Sequence, residues 1–201
     1  MAKLHFKYAS MNSGKTIDLI RTAYNYEENG YKVLVLKPTV DTKSGDKISC
    51  RIGLERKVDV LINNSDSIYD KLKDKLNDIH CIFIDEAQFL NANQVDELFI
   101  ISKAMNIPVI CYGLRTDFRM EAFEGSRRLL EVADALEELA TLCSCGNIAR
   151  YNARKVDGEF TIEGDKVVID GSKNVEYVPL CGDCFLQKVK KIDLKDIRRK
   201  L

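Results

Sequence analysis

Residues 9–16, Ala9-Ser10-Met11-Asn12-Ser13-Gly14-Lys15-Thr16, match the phosphate loop G-x-x-x-x-G-K-S/T everywhere except the first position, where Ala9 replaces glycine. Such a loop turns backbone N–H groups inward around a phosphate, at the start of a helix whose dipole favours negative charge. Gly14 permits the tight path, Lys15 would reach β- and γ-phosphates, and the Thr16 hydroxyl would ligate Mg²⁺. Ala9 is compatible with the loop at negative φ. A second group follows an apolar run: Cys81-Ile82-Phe83-Ile84 ends in Asp85-Glu86. In phosphate-loop proteins a strand of this form delivers a carboxylate to the metal, a role that suits Asp85. Neighbouring strand residues point opposite ways, so Glu86 has a different task, and a hydroxyl acceptor needs a general base.

The third group is sulfur. Of seven cysteines, Cys143 and Cys145 form one pair and Cys181 and Cys184 another, while Cys50, Cys81 and Cys111 stand alone. The lone three read as small buried hydrophobes. The paired spacing reads as one structural Zn²⁺ held by Cys143, Cys145, Cys181 and Cys184, against an alternative of two pairs of buried thiols. The first pair is one residue tighter than C-x-x-C, so the chain must bend there, and Gly146 makes the bend easier.

Alternating strand and helix patterns must position these groups. Leu4, Phe6 and Tyr8 alternate with polar residues as in a short strand, and 16–24 has helical spacing with Gly30 as a stop. Val33–Leu36, Cys81–Ile84 and 108–113 read as buried strands, and Val58, Val60 and Ile62 as a weaker one. Helices are expected over 65–79 (apolar face Ile68, Leu72, Leu76), over 94–104, and through Leu129, Leu130, Val132, Ala133, Leu136 and Leu139. The fold class is α/β: a P-loop NTPase-like, mainly parallel sheet with helices on both faces, plus a small C-terminal zinc-binding β module. That module shows β-like stretches at 160–162, 167–169 and 175–178, with turn signals at Gly158, Gly164 and Gly171. Expected domains are 1–142 for the phosphate-loop nucleotide-binding domain, 143–192 for the zinc module and 193–201 for a basic tail.

Composition narrows the classes. Lys+Arg and Asp+Glu both number 31, giving zero formal charge, which argues against a nucleic-acid-coating protein. No run of 18 apolar residues exists, and the polar-interrupted start is unlike a signal peptide, so a cytoplasmic location and no membrane partner are expected.

Several segments together resemble type II thymidine kinases, the zinc-containing class. Met11-Asn12-Ser13-Gly14-Lys15-Thr16 resembles that family's M-x-S-G-K-T, and Asp85-Glu86-Ala87-Gln88-Phe89 its D-E-A/G-Q-F. Residues 112–118 resemble Y-G-L-x-T-D-F, and Ser49-Cys50-Arg51-Ile52-Gly53 resembles S-x-R-x-G. Tyr177 precedes the last cysteine pair as the family's substrate-loop tyrosine does. Asp41-Thr42-Lys43 departs from the family's D-x-R. The resemblance implies transfer of the γ-phosphoryl group of ATP to the 5′-hydroxyl of thymidine, and of deoxyuridine, in deoxynucleoside salvage. It implies Glu86 as base, Lys15, Thr16 and Asp85 on the triphosphate and Mg²⁺, Gln88 and Phe89 beside the nucleoside, and Phe118 near the thymine ring. It also implies a substrate-covering loop over 152–177, a nucleoside as the small-molecule partner, no nucleic-acid partner, and a homotetramer. Two other readings stay open: a P-loop ATPase with a zinc ribbon acting on nucleic acid, and a nucleotide-binding switch without an acceptor.

Overall fold

The computed structural model describes residues 1–41, 45–165, 174–194, 197 and 199. Lys43, the strand expected at 167–169, Gly171 and part of the basic tail lie outside the described residues. The chain divides into two compact units: Met1–Tyr8, Gly14–Arg115 and Phe123–Leu139 form one; Ala9–Ser13, Thr116–Ala122 and Ala140–Leu201, so far as described, form the other.

The first unit contains β1 (Leu4–Ala9, whose last residue passes into the second unit), α1 (Lys15–Glu28), β2 (Val33–Pro38), β3 (Lys47–Ser49), β4 (Glu55–Lys57), β5 (Val60–Ile62), α2 (Ile68–Leu72), β6 (Cys81–Ile84), α3 (Ala92–Ala104), β7 (Val109–Leu114), α4 (Glu124–Val132) and β8 (Ala135–Glu138). Six strands make one sheet in the order β5-β2-β6-β7-β1-β8, and β3 and β4 form a separate antiparallel pair. The pairs β5–β2, β2–β6, β6–β7 and β1–β8 are parallel. The continuous apolar runs follow from burial on both faces. Leu34, Leu36, Ile82 and Ile84 pack in a core with Ile68, Leu98 and Leu129 from α2, α3 and α4. Their strand neighbours Val33, Val35, Cys81 and Phe83 pack in another with Leu19 and Ala23 of α1.

Two helix expectations are corrected. The pattern running to Leu139 is not one helix: α4 stops at Val132, and Ala133 turns extended with ψ 137°. Asp134 then exchanges bonds with Leu4, its Oδ2 accepting Leu4 N–H at 2.7 Å and its N–H donating to Leu4 O at 2.9 Å. This seeds β8 beside β1, where Leu136 pairs with Phe6 and stays half exposed. Tertiary pairing overrides the helical period. Likewise 65–79 holds only α2, capped by Ser67, and a 3-10 turn at Leu76–Asp78. The Lys75 N–H to Leu72 O bond, 2.7 Å, tightens the chain between them. Ile68, Leu72 and Leu76 still reach the core.

The second unit contains β9 (Thr141–Leu142), β10 (Ile148–Ala149), β11 (Tyr151–Val156), β12 (Glu159–Thr161), β13 (Val175–Leu180) and α5 (Gly182–Lys188). Of the expected loop over 152–177, residues 152–156, 159–161 and 175–177 are strand, and 166–173 lie outside the described residues. β11 pairs antiparallel with β13 from Tyr151↔Leu180 to Val156↔Val175, and with β12 on its other edge. Among the described residues, no helix is long and apolar enough to cross a membrane.

Candidate active site and metal centre

In the first unit, Gly14 caps α1 at φ 82°, a left-handed conformation that a glycine adopts without strain. Lys15 and Thr16 therefore open the helix, where the dipole is positive. Lys7 Nζ (2.9 Å) and the Tyr112 hydroxyl (2.9 Å) both meet Asp18 Oδ2, tying this first turn to β1 and β7. Lys15 is buried, and desolvation lowers its pKa despite the opposing charges of Glu86 and Asp85.

β6 carries Asp85 to its carboxyl end, where the Asp85 N–H still bonds Leu36 O at 3.0 Å. Asp85 Oδ2 accepts from Thr16 Oγ1 at 3.5 Å, while Oδ1 is buried with no hydrogen-bond partner. Burial, reinforced by the Glu86 charge and opposed by Lys15, pushes the Asp85 carboxyl up to about 7. A buried carboxylate oxygen without a partner beside a loop hydroxyl is a donor set that fits a hard cation.

Glu86 diverges from Asp85 for a reason other than strand alternation. It leaves the strand in the left-handed region, φ 51° and ψ 38°, at the head of a 3-10 turn over Ala87–Phe89. A non-glycine residue there carries strain that the surroundings must hold. Gln88 supplies the hold. Its buried amide donates from Nε2 to Glu86 Oε2, and its Oε1 accepts the Leu114 N–H at 3.0 Å. Gly113 makes room: a Cβ there would lie 2.8 Å from Gln88 Oε1 and 3.1 Å from Gln88 N. Gly125 of α4 approaches the same turn, where a Cβ would meet Ala87 O and Leu90 O at 2.6 Å. Phe89 is half-buried and packs edge-on to Phe123, ring centroids 5.7 Å apart.

The second unit holds Ala9, Ser10, Met11, Asn12 and Ser13, the front of the phosphate loop. Asn12 sits at φ 62°, and Ala9 is not among the positive-φ residues. The Met11 N–H donates to Asn152 Oδ1 at 2.7 Å, and Asn152 Nδ2 donates to Thr116 O at 3.2 Å. Phe118 and Tyr177 are buried in this unit. Asn152 and Arg154, both buried, were not singled out by sequence. The available signal was two polar residues at i and i+2 in a strand, which share one face of it.

The four paired cysteines come together: their Sγ atoms all lie within 4.8 Å of one another. The tight first pair bends as expected. The Gly146 N–H bonds Cys143 O at 2.9 Å, and Gly146 adopts φ 90°. Cys181 caps α5, accepting the Cys184 N–H at 3.5 Å. Tetrahedral Zn–S bonds of about 2.3 Å require sulfurs about 3.8 Å apart, and Cys145 and Cys181 stand 3.5 Å apart. Against the effect of burial, the backbone N–H groups of Cys145 and Cys181 hold the Cys143 thiol down to about 6; burial and neighbouring sulfurs push Cys184 up to about 12. Four cysteine sulfurs gathered this closely are a donor set matched to a soft cation. Of the lone cysteines, Cys81 and Cys111 are buried as expected, whereas Cys50 is only half-buried.

A family model described as thymidine kinase matches residues 2–185. The thymidine kinase of Zymomonas mobilis is 44% identical over 193 residues, spanning 94% of this chain and 98% of that protein. That of Enterobacteria phage T4 is 43% identical, spanning 96% of this chain and all of that protein. That of Mannheimia succiniciproducens is 42% identical, over 96% and 99%. Among solved structures, the Pif1 helicase of Candida albicans aligns with 69% of this chain and 36% of its own at TM-score 0.40 and 14% identity. A likeness that slight bears on neither mechanism nor partners.

Proposed function

The chain belongs to the thymidine kinase family, and from that premise we propose that it transfers the γ-phosphoryl group of ATP to the 5′-hydroxyl of thymidine, giving dTMP in salvage. The observation that carries the residue roles is the grouping at the strand ends of the first unit. Lys15 and Thr16 open α1, Thr16 bonds Asp85, and Glu86 is fixed next to them by Gln88. The family match over 2–185 favours a nucleoside acceptor over nucleic acid.

In the transfer a bond forms between thymidine O5′ and the γ-phosphorus, and the bond from that phosphorus to the β,γ-bridging oxygen breaks, leaving ADP. Glu86 accepts the proton of the 5′-hydroxyl as O5′ bonds phosphorus. The Lys15 ammonium and the backbone N–H groups that open α1 stabilise the charge gathering on the phosphoryl oxygens. Gln88 acts through Glu86: it keeps the carboxylate in one place and leaves its other oxygen for the substrate. Mg²⁺ would be held by Thr16 and Asp85, where it would neutralise phosphate charge, and the unpartnered Asp85 Oδ1 supports that assignment. Phe89, Phe118 and Tyr177 are the nucleoside neighbours that the family resemblance supports.

Zn²⁺ at Cys143, Cys145, Cys181 and Cys184 would be structural, since four protein ligands leave no open position for water. The expected division at residue 142, a homotetrameric assembly, a cytoplasmic location and use of deoxyuridine belong to the same proposal. ADP release tests the function: it should require thymidine or deoxyuridine. Stimulation by polynucleotide, with no response to free nucleosides, would refute it.

A further inference from the structure

Phe118 lies beneath two guanidinium groups. Arg154 Cζ is 3.5 Å from its ring centroid and Arg119 Cζ 5.0 Å. Both arginines also reach one short stretch of backbone. Arg119 Nε donates to Ile162 O at 3.1 Å, and Arg154 Nη2 to Glu163 O at 3.2 Å. Arg119 Nη2 then donates to Gly164 O, and Arg154 Nη2 to Asp165 O at 2.8 Å. Four consecutive carbonyls are thus taken alternately by two side chains that also cover one ring. Arg154 is 2% exposed, and its Nε is buried without a partner, a cost that functional sites retain. In the β11–β13 register Arg154 stands opposite Tyr177.

A cation over a ring face and a planar fork on carbonyls are both properties of arginine that lysine reproduces poorly. We propose that Arg154 and Arg119 are positioning residues that clamp residues 162–165 to Phe118 and thereby set the affinity for the nucleoside. The inference rests on the reading of Phe118 as a neighbour of the thymine ring. Neither arginine is assigned contact with the reacting atoms, so the effect falls on thymidine KM rather than on kcat. Charge-assisted bonds of this kind, lost from a binding surface, correspond to roughly a tenfold to hundredfold change.

The test uses the full-length enzyme with its metal, in three variants: Arg119→Ala, Arg154→Lys and Phe118→Ala. Thermal midpoint and zinc content serve as controls. Arg119 is only half-buried, so its removal opens no core even if Arg154→Lys folds poorly. Both arginine variants should raise thymidine KM about tenfold or more while ATP KM and kcat stay within about threefold, and trypsin should cut faster near 162–165. If thymidine KM is unchanged in both while Phe118→Ala raises it, the clamp is overturned and the nucleoside reading of Phe118 stands. If Phe118→Ala leaves thymidine KM unchanged, that reading fails and takes the inference with it. An equal loss for thymidine and ATP in Arg119→Ala also overturns a positioning role.

Discussion

The strand ends of the first unit and the clamp of the second unit handle buried charge in opposite ways. Asp85 keeps one oxygen without a partner, and Lys15 is desolvated beside two carboxylates. These groups are poised for an incoming charge, which raises the cost of the empty site. Arg154, equally buried, spends its charge on carbonyls and an aromatic ring. The first arrangement suits chemistry, where charge moves, and the second suits holding, where it must not. A substitution in the first should therefore cost rate, and one in the second should cost affinity or local order.

The largest expected effect is from Lys15→Ala. Removing one cation aimed at the transferring group should lower kcat about a thousandfold or more, with an unchanged circular dichroism spectrum. A rate within tenfold of the native enzyme would contradict the assignment. Glu86→Gln keeps the shape but cannot accept a proton. It should lower kcat by about 10²–10⁴-fold with ATP KM within a few-fold, in steady-state kinetics.

On the other side of the comparison, Cys181→Ser should cut zinc below about half an ion per chain by elemental analysis. The second unit should then become more open to proteolysis, with loss of phosphoryl transfer following that loosening rather than preceding it. Gly113→Ala tests the support beneath Glu86. Its Cβ would crowd Gln88, so about 1–3 kcal/mol of stability and roughly tenfold in kcat should be lost together. The smallest effect concerns Asp85. Its folded-state pKa is raised to about 7, so the folded protein holds a proton that the unfolded chain releases near its ordinary value of about 4. Without Mg²⁺ and nucleotide, stability should therefore fall as pH rises from about 4 to about 7. Asp85→Asn should flatten that slope in thermal melts across the same pH window.

The same contrast explains what could be read in the sequence. Gly14-Lys15-Thr16 and Asp85-Glu86 are contiguous and sit at strand–helix or strand–turn junctions, so local pattern and its flanking context singled them out. The cysteine pairs were equally legible because metal ligation demands a repeated residue type. Asn152 and Arg154 were not, since their partners, Met11, Thr116, Phe118 and residues 163–165, are mostly remote in sequence. The strands β12 and β13 were expected from their apolar stretches, whereas β11 was not, because it carries polar residues on both faces. The helix drawn through Leu136 failed because Asp134 pairs with Leu4, a contact between distant parts of the chain. The left-handed turn at Glu86 depends on Gly113 and Gly125 vacating space for it, which no local pattern in 85–89 reveals.

The central claim is that the γ-phosphoryl group passes to the 5′-hydroxyl of a nucleoside, and acceptor analogues test it most directly. ADP formation and phosphorus NMR of the products should be followed with thymidine, 3′-deoxythymidine and 5′-deoxythymidine. The account predicts a phosphomonoester from the first two and neither ADP nor ester from the third. ATP turnover sustained by 5′-deoxythymidine, with inorganic phosphate as the product, would make water the acceptor and contradict it.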